Sequence, residues 1–198
     1  MPIDVKFLKS AVLARDYPDA KRPEVAIAGR SNAGKSSFIN CLTKSKIAKV
    51  SQEPGKTRLL NFFDVGEHYR LVDTPGYGFA SRSGSEVLSW QEMIETYFST
   101  RENFVGLILV MDIRRDWEED EAMMVDFLNS IDKPLLVVLA KADRCTRSEI
   151  AERKKIIARA SGVEQICIAS SVKDIGVEEI EEYFFKAWVK PAIGKRKS

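Results

Sequence analysis

Residues 29–37 of the 198-residue chain read GRSNAGKSS. Within them Gly29, Gly34, Lys35 and Ser36 satisfy the spacing G-x-x-x-x-G-K-[ST], after the apolar run EVAIAG (24–29) and at the start of the helix-like GKSSFINCLTK (34–44). The chemistry this serves is the holding of a polyphosphate against bare backbone. The glycines let the chain turn so that successive N–H groups aim at phosphate oxygens, and the helix N-terminus adds positive potential. Lys35 is placed to reach the β and γ phosphates, and the Ser36 hydroxyl to ligate Mg²⁺. The motif alone does not separate an ATPase, a kinase and a GTPase.

Two further stretches belong to the same chemistry. In YRLVDTPG, Asp73 ends an apolar strand 38 residues after Lys35, as a Mg²⁺-linked carboxylate does, and Gly76 can offer its N–H to a γ-phosphate. Between the two lies PGKT, whose Thr57 can close on Mg²⁺ only when a γ-phosphate is present; residues 45–57 would then be an order–disorder switch. The base is read at AKAD (140–143), where Asp143 can accept two hydrogen bonds from guanine N1–H and N2–H₂. Adenine lacks that donor pair and would leave the carboxylate unpaired. The Lys141 stem can lie over the base, and in ASSV (169–172) a backbone N–H can meet guanine O6. A plainer role for Asp143 is to cap the helix that follows it.

The elements that must position these residues alternate in type. Apolar strand-like runs (24–29, 104–112, 134–143, 164–170) alternate with helix-like segments (34–44, 86–101, 118–130, 149–160, 177–190), and LLNFFDV/YRLVD brackets a GEH turn. This predicts an α/β fold: a mostly parallel six-stranded sheet with one antiparallel pairing and helices on both faces. Residues 1–198 read as a single domain, with 1–22 an N-terminal extension and 191–198 a basic tail. Phe184, Phe185 and Trp188 on the last helix have the spacing of a core face rather than a base-stacking surface. The glycine- and serine-rich TPGYGFASRSGS (74–85) reads as a mobile loop.

Composition excludes several classes. Lys plus Arg number 31 against 29 Asp plus Glu, so net charge says nothing about nucleic acid until the charges are placed. Three scattered cysteines argue for a reducing compartment and against a disulfide framework or zinc site. The single histidine, His68, reads as a hairpin surface residue. No signal peptide, membrane span or lipidation signal is visible, which predicts a cytoplasmic protein, here expected to be monomeric. Lys44, Lys46, Lys49, Lys56 and Arg58 face only Glu53 across 41–60, and Lys190, Lys195, Arg196 and Lys197 follow Trp188 without an acid; acids gather at 116–121 and 178–182. A basic switch loop and tail suit a phosphate backbone, or are simply solvated.

The ordered set GRSNAGKSS, PGKT, DTPG, AKAD and SSV resembles the translation-factor-related GTPases. With FLKSA, PGKTRLLNFF and DTPGYGFA it resembles the EngB (YihA/YsxC) family of bacterial TrmE-Era-like P-loop GTPases, G domains linked to large-ribosomal-subunit assembly and to normal cell division and septation. The resemblance spans nearly the whole chain. It implies bound GTP or GDP and Mg²⁺ held at Ser36 and Thr57. It further implies nucleotide contacts at Gly29, Arg30, Ser31, Asn32, Ala33, Gly34, Lys35, Ser36 and Ser37, and at Gly55, Lys56, Thr57, Arg58 and Leu59. The remaining contacts fall at Asp73, Thr74, Pro75 and Gly76, at Ala140, Lys141, Ala142 and Asp143, and at Ala169, Ser170 and Ser171. The implied partner is the large ribosomal subunit or its precursor, with no membrane.

Two departures stand out. The base motif of the family begins with Asn or Thr, which braces the P-loop; here it is Ala140, and losing one such bond costs about 0.5–1.5 kcal/mol. Where small signalling GTPases carry a water-orienting glutamine, this chain has Tyr77, and Arg82, Arg114 and Arg115 are arginine-finger candidates only loosely. Slow intrinsic turnover follows, on the order of 10⁻⁴ to 10⁻² per second. Lys35, Thr57, Gly76 and Asn32 are the residues expected to act in hydrolysis, Asn32 by holding K⁺ as in related GTPases, or else merely by satisfying its own turn. Two rival functions remain at this stage: a P-loop small-molecule kinase, and a nucleotide-gated interaction protein in which hydrolysis is incidental.

Overall fold

FVGLILVMD carries apolar side chains on both faces of a strand, so it must lie in the middle of a covered sheet, and it does. A computed structural model describes residues 4–48, 59–78 and 84–195, the side chains of 84–90 excepted. Its strands are β1 (Val5–Ala11), β2 (Glu24–Gly29), β3 (Leu60–Val65), β4 (Tyr69–Asp73), β5 (Phe104–Asp112), β6 (Leu135–Ala140) and β7 (Ile166–Ile168). Its helices are α1 (Lys35–Leu42), α2 (Gly84–Thr100), α3 (Glu119–Ser130), α4 (Arg147–Ser161), α5 (Val177–Phe184) and α6 (Lys190–Lys195). The strands form one sheet in the order β1-β3-β4-β2-β5-β6-β7.

Side chains alternate across the central strands. Ala26, Ala28, Leu107, Leu109 and Met111 pack with Met93, Ile94, Tyr97 and Phe98 of α2, Met124 and Leu128 of α3 and Ile157 of α4. Val25, Ile27, Ile108 and Val110 pack on the other face with Phe38, Ile39 and Leu42 of α1 and Val177, Ile180 and Phe184 of α5. Both faces are therefore dry, as an apolar parallel strand requires.

The class is as expected, but the sheet has seven strands rather than six. The added strand comes from the segment read as an extension: β1 pairs antiparallel with β3, shifting register between Phe7 and Lys9. Because β3 also runs against β4, there are two antiparallel pairings rather than one. The other four pairings are parallel. Four of the seven β1 residues are exposed, so its sequence carries no two-sided apolar run to mark it.

The C-terminal helix also differs. It is not continuous over 177–190: α5 ends at Phe184, a widened turn spans Phe185–Val189, and α6 follows. In the wide turn the Lys190 N–H reaches Phe185 O. Pro191 cannot donate an N–H, and its ring crowds the carbonyl four residues back, so the helix is obstructed just there. Phe184 and Trp188 are buried in the core and Phe185 is half-buried, as expected of a packing face. His68 is exposed in the β3–β4 turn, edge-on to Phe185 with ring centroids 5.9 Å apart.

The end of the sheet remote from Gly29 is closed by charge. Glu24, fully buried at the start of β2, accepts from Arg70 Nη1 (2.9 Å), from Arg101 Nε (2.8 Å) and Nη2 (2.7 Å), and from the Tyr97 hydroxyl (3.0 Å). Arg70, itself buried, also donates to Asp64 at 2.8 Å and to the Asp19 carbonyl at 2.8 Å. This network ties the N-terminal segment to β2, β4 and α2 and leaves the opposite end of the sheet for ligand.

Candidate functional site: a phosphate cradle beside a base pocket

The C-terminal ends of β2, β4, β5 and β6 converge, which is where open α/β sheets bind ligands. The loop after β2 turns through Asn32 at φ 62° and Gly34 at φ 104° before α1 begins at Lys35. At Gly34 only glycine takes that angle without cost. Gly29 is demanded for a different reason: a Cβ there would lie 2.3 Å from the Val110 carbonyl oxygen on β5. Lys35 is buried and its Nζ donates to Asp73 Oδ1 at the end of β4. The phosphate-seeking lysine and the carboxylate expected at the metal thus already face one another.

The two ligand loops are joined by backbone. Thr74, fully buried, donates its N–H (3.0 Å) and its hydroxyl (3.1 Å) to Ile27 O. Ser31 N–H donates to Tyr77 O at 3.0 Å, and Arg30 and Tyr77 form a parallel bridge. A Cβ on Gly76 would come within 3.2 Å of Ser31 N, so the turn after DTP lies directly against the phosphate loop. Pro75 and Ala33 are both buried.

Arg30 and Tyr77 carry a further set of contacts that sequence reading missed. The Arg30 guanidinium bonds Glu118 and, at 3.1 Å, Asp120, with Nε 3.9 Å from Glu121 Oε1. Burial works against that charge, but the three carboxylates hold its pKa above the ordinary arginine value. The Tyr77 hydroxyl donates to the same Glu121 oxygen at 2.9 Å, while Glu121 Oε2 accepts the Glu118 N–H at 3.0 Å and closes a capping box on α3. Burial raises the Glu121 pKa, against the lowering pull of these hydrogen bonds, and raises that of the Tyr77 hydroxyl further still. Sequence reading placed Glu121 only within the 116–121 acidic cluster; with a glutamate rather than Ser or Thr at the N-cap, the spacing lacks the usual capping-box signature that could have singled it out.

At the base end, Asp143 accepts the Ser170 hydroxyl at 2.6 Å, which holds its carboxyl below the ordinary range. It does not cap the next helix: Thr146 does, accepting Glu149 N–H at 3.3 Å. Ala169 and Ser170 are fully buried, and Ala142 N–H donates to Ala169 O at 3.1 Å, tying together the two loops expected to read the base. Lys141, at φ 62°, donates to the Asn32 carbonyl of the phosphate loop and lies 3.1 Å from Asp112 Oδ2. Ala140 presents only its methyl toward Gly34.

The structure therefore brings together residues 29–37, 73–76, 140–143 and 169–171. Gly55, Lys56, Thr57 and Arg58 lie outside the described residues, as do most of the expected switch 45–57 and Arg82; Leu59 is described and is exposed. In the first part of that loop, Asn40 exchanges two hydrogen bonds with the Ala48 backbone, at 2.8 and 2.9 Å. Arg114 is engaged with Asp112 at 2.9 and 2.7 Å, and Arg115 is exposed.

Comparison with known proteins agrees with this geometry. The family model described as 50S ribosome-binding GTPase matches residues 24–141, more than half of the chain. A probable GTP-binding protein EngB of Bdellovibrio bacteriovorus is 54% identical over 190 residues, covering 96% of this chain and 95% of its own. The chain belongs to the EngB family. Another EngB relative, from Bacillus cereus, is 44% identical over 174 residues, covering 86% of this chain and 88% of its own. The crystal structure of a probable EngB matches the fold with a TM-score of 0.69 at 22% identity, covering 82% of this chain and 97% of its own. Era of Aquifex aeolicus, bound to GDP and aluminium fluoride, matches at 0.67 and 23% identity, covering 82% of this chain and 56% of its own. As a member of the EngB family the protein is a P-loop GTPase that binds and hydrolyses GTP, which sets the kinase alternative aside. Among the described residues no helix is long and apolar enough to cross a membrane.

Proposed function

We propose that this EngB-family GTPase is a slow, GTP-gated switch in the assembly of the large ribosomal subunit, acting as a monomer in the cytoplasm, and that normal cell division and septation depend on it. The observation that carries the switch reading is the direct seating of the DTPG turn on the phosphate loop, through Ser31 N–H to Tyr77 O and Gly76 against Ser31. A γ-phosphate arriving at Lys35 must engage or displace that turn, so nucleotide state is felt at Tyr77 and beyond.

In this reading Lys35 holds the β and γ phosphates, the N–H groups of residues 30–36 line the phosphate loop, and Gly76 N–H meets the γ-phosphate. Asp143 reads guanine N1–H and N2–H₂ while the N–H groups of 169–171 meet its O6. Hard oxygen donors at Ser36 and Asp73 suit Mg²⁺ better than any softer ion; Thr57 would complete the set. The ion would neutralise charge on the β and γ phosphate oxygens. Exposed Asn32 is the residue we assign to a K⁺ site.

The ribosomal partner is supported by the description of the matching family model as a 50S ribosome-binding GTPase. Era, a fold neighbour, has been solved with MgGDPNP and nucleotides 1506–1542 of 16S ribosomal RNA, which is a statement about Era. In this chain Lys44 is engaged with Glu178 at 2.8 Å, while Lys46 and Lys190 are exposed and could meet a phosphate backbone. The test is co-sedimentation of the purified protein with ribosomal subunits. Retention on the large subunit with a non-hydrolysable GTP analogue but not with GDP is expected. No retention in either state would detach the ribosome from this reading.

A further inference from the structure

The base motif of this chain begins with an alanine, so the bond that normally braces the phosphate loop from that position has no donor or acceptor. We propose that Asp112, at the end of β5, is a positioning residue for guanine-nucleotide binding: it anchors the Lys141 ammonium, which braces the phosphate loop in place of residue 140. The inference deepens the site reading given above and rests on Asp143 and Lys141 bordering the base.

Three features of the site support it. Asp112 and Ala140 are direct partners in the parallel β5–β6 ladder, so the carboxylate stands beside the very position that lacks a polar side chain. Lys141, one residue on, spans the gap: its Nζ donates to the Asn32 carbonyl and lies 3.1 Å from Asp112 Oδ2, linking β5, β6 and the phosphate loop through one cation. Asp112 cannot follow that cation if it moves. It is buried, and it accepts the Arg114 N–H at 3.1 Å, Arg114 Nε at 2.9 Å and Arg114 Nη2 at 2.7 Å. Burial alone would raise its pKa, yet these bonds and Lys141 hold it well below the usual carboxylate range, so it stays charged at any working pH.

The lysine stem also packs close to the phosphate loop: a Cβ on Gly34 would lie 3.5 Å from Lys141 Cε and 3.8 Å from the Ala140 methyl. Lys141 takes up this place from a left-handed backbone at φ 62°, which is unfavourable for a non-glycine residue and persists only where surrounding contacts fix it. The Asp112 carboxylate and the Asn32 carbonyl are such contacts. Arg114, weighed earlier as an arginine finger, instead serves to clamp Asp112.

Without Asp112 the lysine keeps one neutral partner and loses its fixed anion, so the wall it forms against the base loosens and nucleotide leaves faster. The test is the dissociation rate of a fluorescent GDP from the full chain with Mg²⁺. Asp112→Asn is expected to speed release roughly three- to tenfold, the range for losing one charge-assisted contact at a partly screened site. Ala140→Asn supplies the missing brace directly. It is expected to slow release several-fold more in Asp112→Asn than in the wild type, bringing the Asp112→Asn rate to within about twofold of the wild-type rate, a non-additivity that marks a shared role.

A merely structural role for Asp112 would lower the melting temperature of the nucleotide-free chain and would not be repaired from position 140. Unchanged release in Asp112→Asn, or faster release that Ala140→Asn leaves untouched, overturns the proposal. Asp143→Asn is run alongside. If it binds GDP as the wild type does, the site reading itself fails, a result distinct from failure of the Asp112 brace.

Discussion

Tyr77→Phe removes one oxygen from the junction between the nucleotide site and α3, and its consequence can be worked out. The hydroxyl donates to Glu121 Oε1 at 2.9 Å inside the core, where Glu121 is fully buried. A hydrogen bond to a charged group contributes about 1.5–3 kcal/mol, and leaving a buried carboxylate short of a donor costs in the same range. Arg30 Nε lies 3.9 Å from that oxygen and can close part of the gap, so the lower end applies, about 1.5 kcal/mol. For a domain of this size that corresponds to a fall of roughly 3–6 °C in melting temperature.

The loss must also depend on pH. The Glu121 pKa is raised in the folded state by burial, above its ordinary 4.5. A raised value means that its contribution to stability is whole below 4.5 and is lost as pH climbs through the folded value. The tyrosine bond lowers that value, so removing it raises Glu121 further and makes the variant suffer most where the carboxylate must be ionised. Urea unfolding of nucleotide-free protein at pH 7.5 and at pH 4.5 measures both effects; the deficit is expected to be smaller at the lower pH. A deficit equal at the two pH values would refute the charge argument, and no deficit at all would refute the hydrogen bond.

The remaining predictions are simpler. Glu24→Ala strands the charge of Arg101 and leaves buried Arg70 to Asp64 and Asp19 alone, and is expected to cost about 3–5 kcal/mol by chemical denaturation, the penalty for breaking a buried ion pair from one side; a loss under ~1 kcal/mol would show that water reaches the network. GTP hydrolysis is expected to run several-fold faster in potassium than in sodium buffer of equal ionic strength if Asn32 supports a monovalent cation, and the difference should vanish in Asn32→Ala. Equal wild-type rates in the two salts would remove K⁺ from the site.

How far the sequence was legible follows from what kind of signal each part leaves. The phosphate loop could be read because it needs specific residue types at fixed spacing, and the central strands because burial on both faces leaves an unbroken apolar run: β5 was expected at 104–112 and is found at Phe104–Asp112. The edge strand β1 leaves neither mark, since VKFLKSA is exposed at four positions and its lysines break any apolar run, so it was read only as part of an extension. The wide turn before Pro191 was hidden for the opposite reason, a helical pattern so regular that a shift of one backbone bond does not disturb it.

The polar junctions were harder still, because they pair residues from elements far apart in sequence. Nothing local to Arg30 or Tyr77 announces Glu121, and nothing local to Asp112 announces Lys141, until the sheet brings β2, β4, β5 and β6 to one edge. The two ends of the site then differ in kind. At the base end, Lys141, Asp112 and Arg114 lock together elements of the sheet and the phosphate loop, an arrangement suited to staying fixed through the nucleotide cycle. At the phosphate end, Tyr77 is joined to α3 by its hydroxyl on Glu121 and by burial in the same apolar cluster as Met124, and to the phosphate loop by backbone bonds. On the proposed switch reading, the base grip would supply affinity for either nucleotide, and the DTPG turn at Tyr77 would express the difference between GTP and GDP.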